Sequence, residues 1–245
     1  MYPSFYFTIE MNPTKAMVNY SLTNTKYMFY LQGKSLFFER RQTMTTTKTP
    51  IQIELAKTAF LPIDLQKGII GSGNLFPYDS ATILANNRQI AEQLKNTAAL
   101  NVLVNVDITS FQYLSTQNDR PVSATSLAVP KEFTDLLLEP ALNDAENTIK
   151  ITKHNPSAFF GTSFDLQLRR RKIDTLILSG VATSNGVYAT ALDAFQHGYH
   201  VLIVADGCGD RDQELHQLFI EKMFPKMARV RSTKEILQAI KEAHN

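Results

Sequence analysis

From Thr58 onward, short apolar runs alternate with amphipathic stretches. TAFLPID (58–64) is apolar at most positions and ends on a carboxylate, the pattern of a strand buried on both faces. SATILANNRQIAEQLKN (80–96) sets Ile83, Ile90 and Leu94 at helical spacing, and LNVLVNVD (100–107) is again a strand-length apolar run. A polar stretch, 108–130, leads to Pro130, after which KEFTDLLL (131–138) reads as a short helix. TIKITK (148–153), DTLILSG (174–180), YHVLIVAD (199–206) and ARV (228–230) read as further strands. The helices between and after them are SFDLQLRRR (163–171), residues 184–197 closed by Gly198, DQELHQLFIEKMF (212–224) and TKEILQAIKEAH, the last capped by Ser232.

Strands that alternate with helices of this length imply right-handed crossovers and parallel pairing. The pattern predicts an α/β fold: one three-layer α/β/α sandwich around a mostly parallel six-stranded sheet. Such sheets bind ligands at the carboxyl ends of their strands. That rule selects Asp64, Asp107, Lys153, the turn from Gly180 to Gly186, and Asp206. Pro62 is out of place in a strand, because it has no N–H for a ladder, and it marks an irregularity beside the Ile63–Asp64 step.

Composition narrows the class of function. The 245 residues are 44% apolar and 20% charged, ordinary for a globular protein, and the formal charge of +2 suggests neither nucleic-acid nor membrane-surface partners. The single Cys208 excludes an intrachain disulfide and a cysteine-based zinc site, and a reducing, cytoplasmic setting is the expectation. Residues 1–43 differ from the rest, with ten Tyr or Phe but no helical or strand period. Without them the chain has 20 basic and 21 acidic residues, so its positive charge comes from this segment. The expectation is a poorly packed or disordered extension, or a leader translated upstream of a start at Met44, followed by a domain over 44–245.

Two groups stand out chemically. A carboxylate at the mouth of an apolar strand, as at Asp64, is desolvated, and its pKa rises unless a cation balances it. Lys153 is the candidate cation, and the two together suit general acid–base work; a structural ion pair would fit the spacing equally well. In LSGVATSNGVYATALDA (178–194) an apolar run gives way to a polar turn and then a helix, whose first N–H groups lack intrahelical partners. No nucleophile stands at the tip of that turn, where the residue is Gly186.

TAFLPIDLQKGI, together with KHNPSAFFGTSFDLQLRRRKIDTLILSGVATSNGVYATALDAFQHGYHVLIVAD, resembles the isochorismatase-like hydrolase superfamily over about Thr58 to His244. The features that carry it are a strand-end Asp followed by x-Gln, a Lys preceding SAF-GT, and a Gly-x-x-Thr turn opening a helix. The resemblance implies catalytic roles for Asp64 and Lys153, and oxyanion or substrate-binding roles for Ala182, Gly186, Gln66 and Phe159. It also implies a cis peptide bond between Val181 and Ala182 and a homo-oligomer, dimer or tetramer. In thiol members of the family the turn presents a catalytic Cys, whereas this chain has Gly186 there. The isochorismatases proper also carry Gly, and cleave a vinyl ether to pyruvate by acid catalysis and water attack. The chain departs from them at Ala182, where they have an aromatic residue, and in the stretch after the second strand.

The expected function is therefore Asp-catalysed hydrolysis of a small, carboxylated substrate, vinyl-ether cleavage being one form of it. The alternatives are an amide or other hydrolase with Asp-activated water, and a small-molecule-binding pseudoenzyme. No metal is expected, because the strand-two element NVDITSFQ offers Asp107 without the His of metal-binding relatives, and no cofactor is implied. Cys208 reads as a small buried or loop thiol, Asp206 as a cap, and Phe159 or Phe160 as core.

Overall fold

The computed structural model describes residues 26–31, 34–39, 50–109, 119 and 130–244. Contacts divide the chain into two units, residues 1–49 and 50–245. In the first, β1 (Lys26–Leu31) and β2 (Lys34–Glu39) pair antiparallel, with Lys26 opposite Glu39. The sequence shows no strand period there; the rest of the 1–43 extension lies outside the described residues.

The second unit carries β3 (Thr58–Ile63), β4 (Leu100–Val106), β5 (Thr148–Lys153), β6 (Thr175–Val181), β7 (His200–Gly209) and β8 (Arg229–Arg231). They form one six-stranded sheet in the order β5-β4-β3-β6-β7-β8, and every pair is parallel. The α/β architecture read from the sequence is the one observed. The order reverses beside β3, which places a topological switch point at its carboxyl end.

Alternate residues of the strands fill two cores. Ala59, Leu61 and Ile63 pack with Phe164 and Leu168 of α4 (Phe164–Arg170) and with Ala191 and Ala194 of α5 (Tyr188–Gln196). Phe60 faces the other layer, with Ile83 and Ile90 of α2 (Ser80–Leu94) and Ile236 and Ile240 of α7 (Thr233–Ala243). Each fully buried side chain of this size contributes about 1.5–3 kcal/mol of transfer free energy, so the paired layers dominate stability. The helix starts follow local chemistry: Asp79 accepts the Thr82 N–H at 2.7 Å, and Ser232 with Glu235 forms a capping box.

Pro62 does sit in a central strand. Asp64 N donates to Val104 O at 2.9 Å, so the Pro62 nitrogen, two residues earlier, faces the same neighbour without a hydrogen. The β3–β4 ladder pairs at Ala59, Phe60 and Ile63, skips the residues between, and resumes in the same register.

Two predicted helices are corrected. Residues 131–138 make only a 3₁₀ turn, Lys131–Thr134, followed by extended chain. Backbone groups just past β3 recruit that chain: Lys67 N donates to Asp135 O and Leu137 N to Leu65 O, each at 2.9 Å. Residues 212–224 start as α6 (Gln213–Leu218), pass through a π turn (Phe219–Met223) and end in a 3₁₀ turn that contains Pro225. Strand β7 also runs past its predicted end, because its register with β6 shifts between Leu178 and Gly180 and residues 204–207 bulge. Side-chain amides of α2 cover the bulge, Asn86 on Asp206 O at 2.7 Å and Asn87 on Gly207 O at 2.9 Å.

Candidate active site

Asp64 is the first residue past β3 and lies at φ 52°. That left-handed backbone is uncommon outside glycine but tolerated by Asp. It ends the strand. The carboxylate Oδ2 meets Lys153 Nζ at 2.8 Å, at the end of β5, two strands away. The side chains of Asp64 and Lys153 are only 8% and 2% exposed, so the pair is dry. Lys153 Nζ also donates to Asn155 O at 3.3 Å. Asp64 Oδ1 is buried and has no hydrogen-bond partner among the described residues. Burial pushes the Asp64 carboxyl up to about 6, against the opposing pull of Lys153.

The third element comes from β6. Gly180 sits at φ +108°, and a Cβ there would lie 2.1 Å from Ile63 O. Only glycine lets β6 approach the end of β3 this closely. The Val181–Ala182 bond is cis. Thr183–Val187 then form a single π turn leading into α5, and Ala182 O accepts from Asn185 N at 3.1 Å and Val187 N at 3.2 Å. The turn brings Gly186 over the ion pair. A Cβ built on Gly186 would lie 3.1 Å from Asp64 Oδ2, 3.2 Å from Ile63 Cγ2 and 3.6 Å from Lys153 Nζ. Asp64, Lys153 and Gly186, distant in sequence, therefore converge on one point at the switch of the sheet.

Comparison with known proteins gives this convergence a context. The isochorismatase domain matches residues 58–235. The chain belongs to the isochorismatase family. The isochorismatase family protein YwoC of Bacillus subtilis is 35% identical over 193 residues, 78% of this chain and 98% of that one. The family protein YecD of Escherichia coli O157:H7 is 33% identical over 192 residues, 78% of this chain and all of that one. Among solved structures, an isochorismatase family protein from Burkholderia thailandensis superimposes with a TM-score of 0.69 at 27% identity, covering 78% of this chain and 98% of that one.

Other residues singled out in the sequence sit elsewhere in this isochorismatase fold. Gln66 is fully buried, and its amide ties β3 to its surroundings: Nε2 donates to Val106 O and Phe133 O at 3.0 and 3.1 Å, and Oε1 accepts from Val106 N at 2.7 Å. That leaves little of it for substrate. Phe159 packs into the core, stacked on His197 at 5.1 Å and tilted against Phe164 at 4.7 Å, while Phe160 is exposed. Asp107 is partly buried, accepts from Thr109 N at 2.9 Å and lies 3.8 Å from His154 Nδ1. Asp206 accepts from Thr233 N and Oγ1, at 2.6 and 2.8 Å, at the start of α7. Cys208 is a strand residue, fully buried opposite Gly180, and burial pushes its thiol far up.

Sequence reasoning read Thr183 only as part of the Gly-x-x-Thr turn and passed over Asp210 and His216. Thr183 Oγ1 and His216 Nδ1 are 2.9 Å apart, and Asp210 Oδ2 accepts from Ser184 N at 2.7 Å. A signal was present: His216, Ile220 and Phe224 recur at four-residue intervals, so the histidine lies on the inward stripe of its helix. Leu215 and Leu218, which look like core residues, are exposed.

Proposed function

We propose that this chain is an isochorismatase-family hydrolase that works without a thiol, with Asp64 as general acid and Lys153 holding both the carboxyl and the substrate. The observation that carries the proposal is the space at Gly186. A side chain there would rest on the Asp64–Lys153 pair, and glycine leaves that volume to the reactants. Asp64 Oδ1, without a partner among the described residues, is the oxygen assigned to carry and deliver a proton.

The substrate that fits this chemistry is a small, carboxylated vinyl ether. The Asp64 O–H bond breaks, and its proton goes to the terminal methylene carbon. The vinyl π pair forms the new C–H bond and leaves an oxocarbenium ion. Water adds to the oxocarbenium carbon and returns a proton to Asp64. The resulting hemiketal collapses to a ketone and an alcohol, so no covalent intermediate with the protein is needed. A carboxyl near 6 is suited to the role, because an acid catalyst works best with its pKa near the working pH.

The same value leaves most of Asp64 ionised at pH 7, which favours a second reading: Asp64 as the base that activates water toward an amide or ester. The two differ in sign. Acid catalysis falls as pH rises above about 6, and base catalysis rises to a plateau above it. The deciding assay follows pyruvate release from enolpyruvyl ethers between pH 5 and 8. Turnover that is lost in Asp64→Asn supports the proposal. Turnover that survives Asp64→Asn and disappears in Cys208→Ala moves the chemistry to β7 and sinks it. Ligand-induced thermal stabilisation with no turnover of any ether, amide or ester identifies a binding protein instead. A cytoplasmic homo-oligomer, dimer or tetramer, belongs to the same reading, and sedimentation as a monomer at micromolar concentration contradicts that part.

A further inference from the structure

Across the turn from the Asp64–Lys153 pair, a second set of buried polar groups grips the residues that follow the cis bond. Thr183 is fully buried, and its hydroxyl meets Nδ1 of His216, itself 5% exposed, at 2.9 Å. Ser184 N donates to Asp210 Oδ2 at 2.7 Å, and Asp210 is 3% exposed. The other carboxylate oxygen of Asp210 accepts from Arg211 N at 2.8 Å and Asp212 N at 3.4 Å. The Asp210 backbone pairs in both directions with Phe76, at 2.8 and 2.9 Å, and Tyr78 meets the His216 ring edge-on at 6.4 Å. The far side of the turn is held as well: Thr190 Oγ1 donates to Gly186 O at 2.7 Å and accepts from Ala158 N at 3.1 Å.

We propose that His216 and Asp210 are positioning residues that fix Thr183 and Ser184, and through them hold position 186 in register with the Asp64–Lys153 pair. Neither group takes part in the chemistry derived above. Apolar side chains would fill the same volume without directing the turn, whereas hydrogen bonds set its direction as well as its depth. The clearance makes direction matter. A Cβ at 186 lies 3.1 Å from Asp64 Oδ2, so a shift of a few tenths of an ångström changes what an atom there experiences. Misplacement by about 1 Å costs on the order of 10²-fold in well-oriented reactions.

The inference rests on the reading of position 186 as the seat of the reaction, so its test uses a reporter that needs no substrate. In the full chain, Gly186→Cys with Cys208→Ala leaves one thiol, beside Lys153 and a helix start. Lys153 and the helix start favour the thiolate, and the Asp64 carboxylate, 3.1 Å from a Cβ at 186, opposes it, so the titration reads how position 186 sits between the two charges. Alkylation by iodoacetamide is followed from pH 5 to 9, with thermal unfolding measured in parallel. His216→Leu in this background is expected to slow alkylation at pH 7 about tenfold by moving the thiol's titration upward. Asp210→Ala should act in the same direction. His216→Asn, whose amide can still meet Thr183, should restore the rate to within about twofold of the parent. Thr183→Val removes the hydroxyl at nearly constant volume and must reproduce the His216→Leu profile, which keeps the test alive if the leucine variant does not fold. A lowered unfolding temperature with an unmoved alkylation profile in these variants overturns the proposal and leaves a merely structural network. A parent thiol that titrates like free cysteine overturns the reading of position 186 alone, and the positioning effect is still scored on the rate difference between variants.

Discussion

Asp64 and Asp210 are buried almost equally, 5% and 3% exposed, at the same end of the sheet. Their surroundings differ. Asp210 ends β7 where the next residues fold back, so its carboxylate collects N–H groups from Ser184, Arg211 and Asp212. Asp64 ends β3 with the backbone at φ 52°, and its carboxylate reaches one ammonium and leaves Oδ1 without a partner among the described residues. Burial alone therefore does not mark a reactive group. A carboxylate saturated by backbone donors serves as a hinge pin. One with a single charged partner and an open oxygen keeps a place for a proton, as the role proposed for Asp64 requires.

The largest effect that tests this contrast is on turnover. Asp64→Asn removes the proposed proton donor at constant shape and should cost about 10²–10⁴-fold in kcat, the usual worth of a positioned acid or base. Asp210→Asn keeps an oxygen for Ser184 N–H, and its loss should stay below about tenfold. Equal losses would erase the distinction between the two carboxylates.

Next is the stability cost of isolating the charge. Lys153→Met leaves Asp64 buried without its cation, and breaking a buried pair in this way costs about 3–5 kcal/mol. The cost should be largest at high pH in urea unfolding and shrink as pH falls, beginning above 6 because Lys153 no longer holds the carboxyl down. Adding Asp64→Asn to Lys153→Met should recover most of it.

A smaller effect lies in the pH dependence of the unmodified chain. The folded Asp64 titrates at about 6, above its ordinary 3.8. Between those values the folded chain holds a proton that the unfolded chain has released, so stability falls as pH rises through the window. Compared with Asp64→Asn at each pH, the wild-type chain should lose roughly 3 kcal/mol between pH 3.5 and 7. A flat difference would mean that Lys153 fully offsets the burial.

The legible and illegible parts of the sequence divide along the same contrast. The strand-length apolar runs and the helical spacing of Ile83, Ile90 and Leu94 report burial periodicity, a local property, and the sheet and its layers follow from it. Asp64 and Lys153 were legible because each ends a strand-length run, and Gly186 because it lies in the polar turn after another; strand ends share one edge of a parallel sheet. The Thr183–His216 contact was not, since no local pattern says that a histidine on α6 will face a hydroxyl more than thirty residues earlier. The segment 131–138 misled for a related reason: its leucines carry an apolar signal, but backbone groups beyond β3 outcompete the helix. Phe159 and Gln66 look like site residues by sequence position, yet their side chains turn to the core and to neighbouring backbone.

The smallest expected effect on stability tests the space itself. Gly186 is helical and carries no positive φ, so Gly186→Ala has no backbone strain to overcome. The change gains up to about 1 kcal/mol from helix propensity. Against this, the new methyl meets Asp64 Oδ2 at 3.1 Å and Ile63 Cγ2 at 3.2 Å, contacts that require the neighbours to give slightly. Overpacking of this kind costs about 1–3 kcal/mol, so the two contributions nearly cancel. Thermal unfolding should move by only a few degrees in either direction. Turnover should respond more, because the methyl occupies the volume assigned to the reactants while leaving Asp64 and Lys153 in place. A Gly186→Ala chain that unfolds like the wild type but has lost at least about tenfold in kcat would show that the site works through an empty position, since a pure stability effect of this size leaves the folded population almost unchanged. A variant with full turnover would show that the reacting atoms do not occupy the volume at Gly186, and would overturn the proposal that glycine leaves that volume to them.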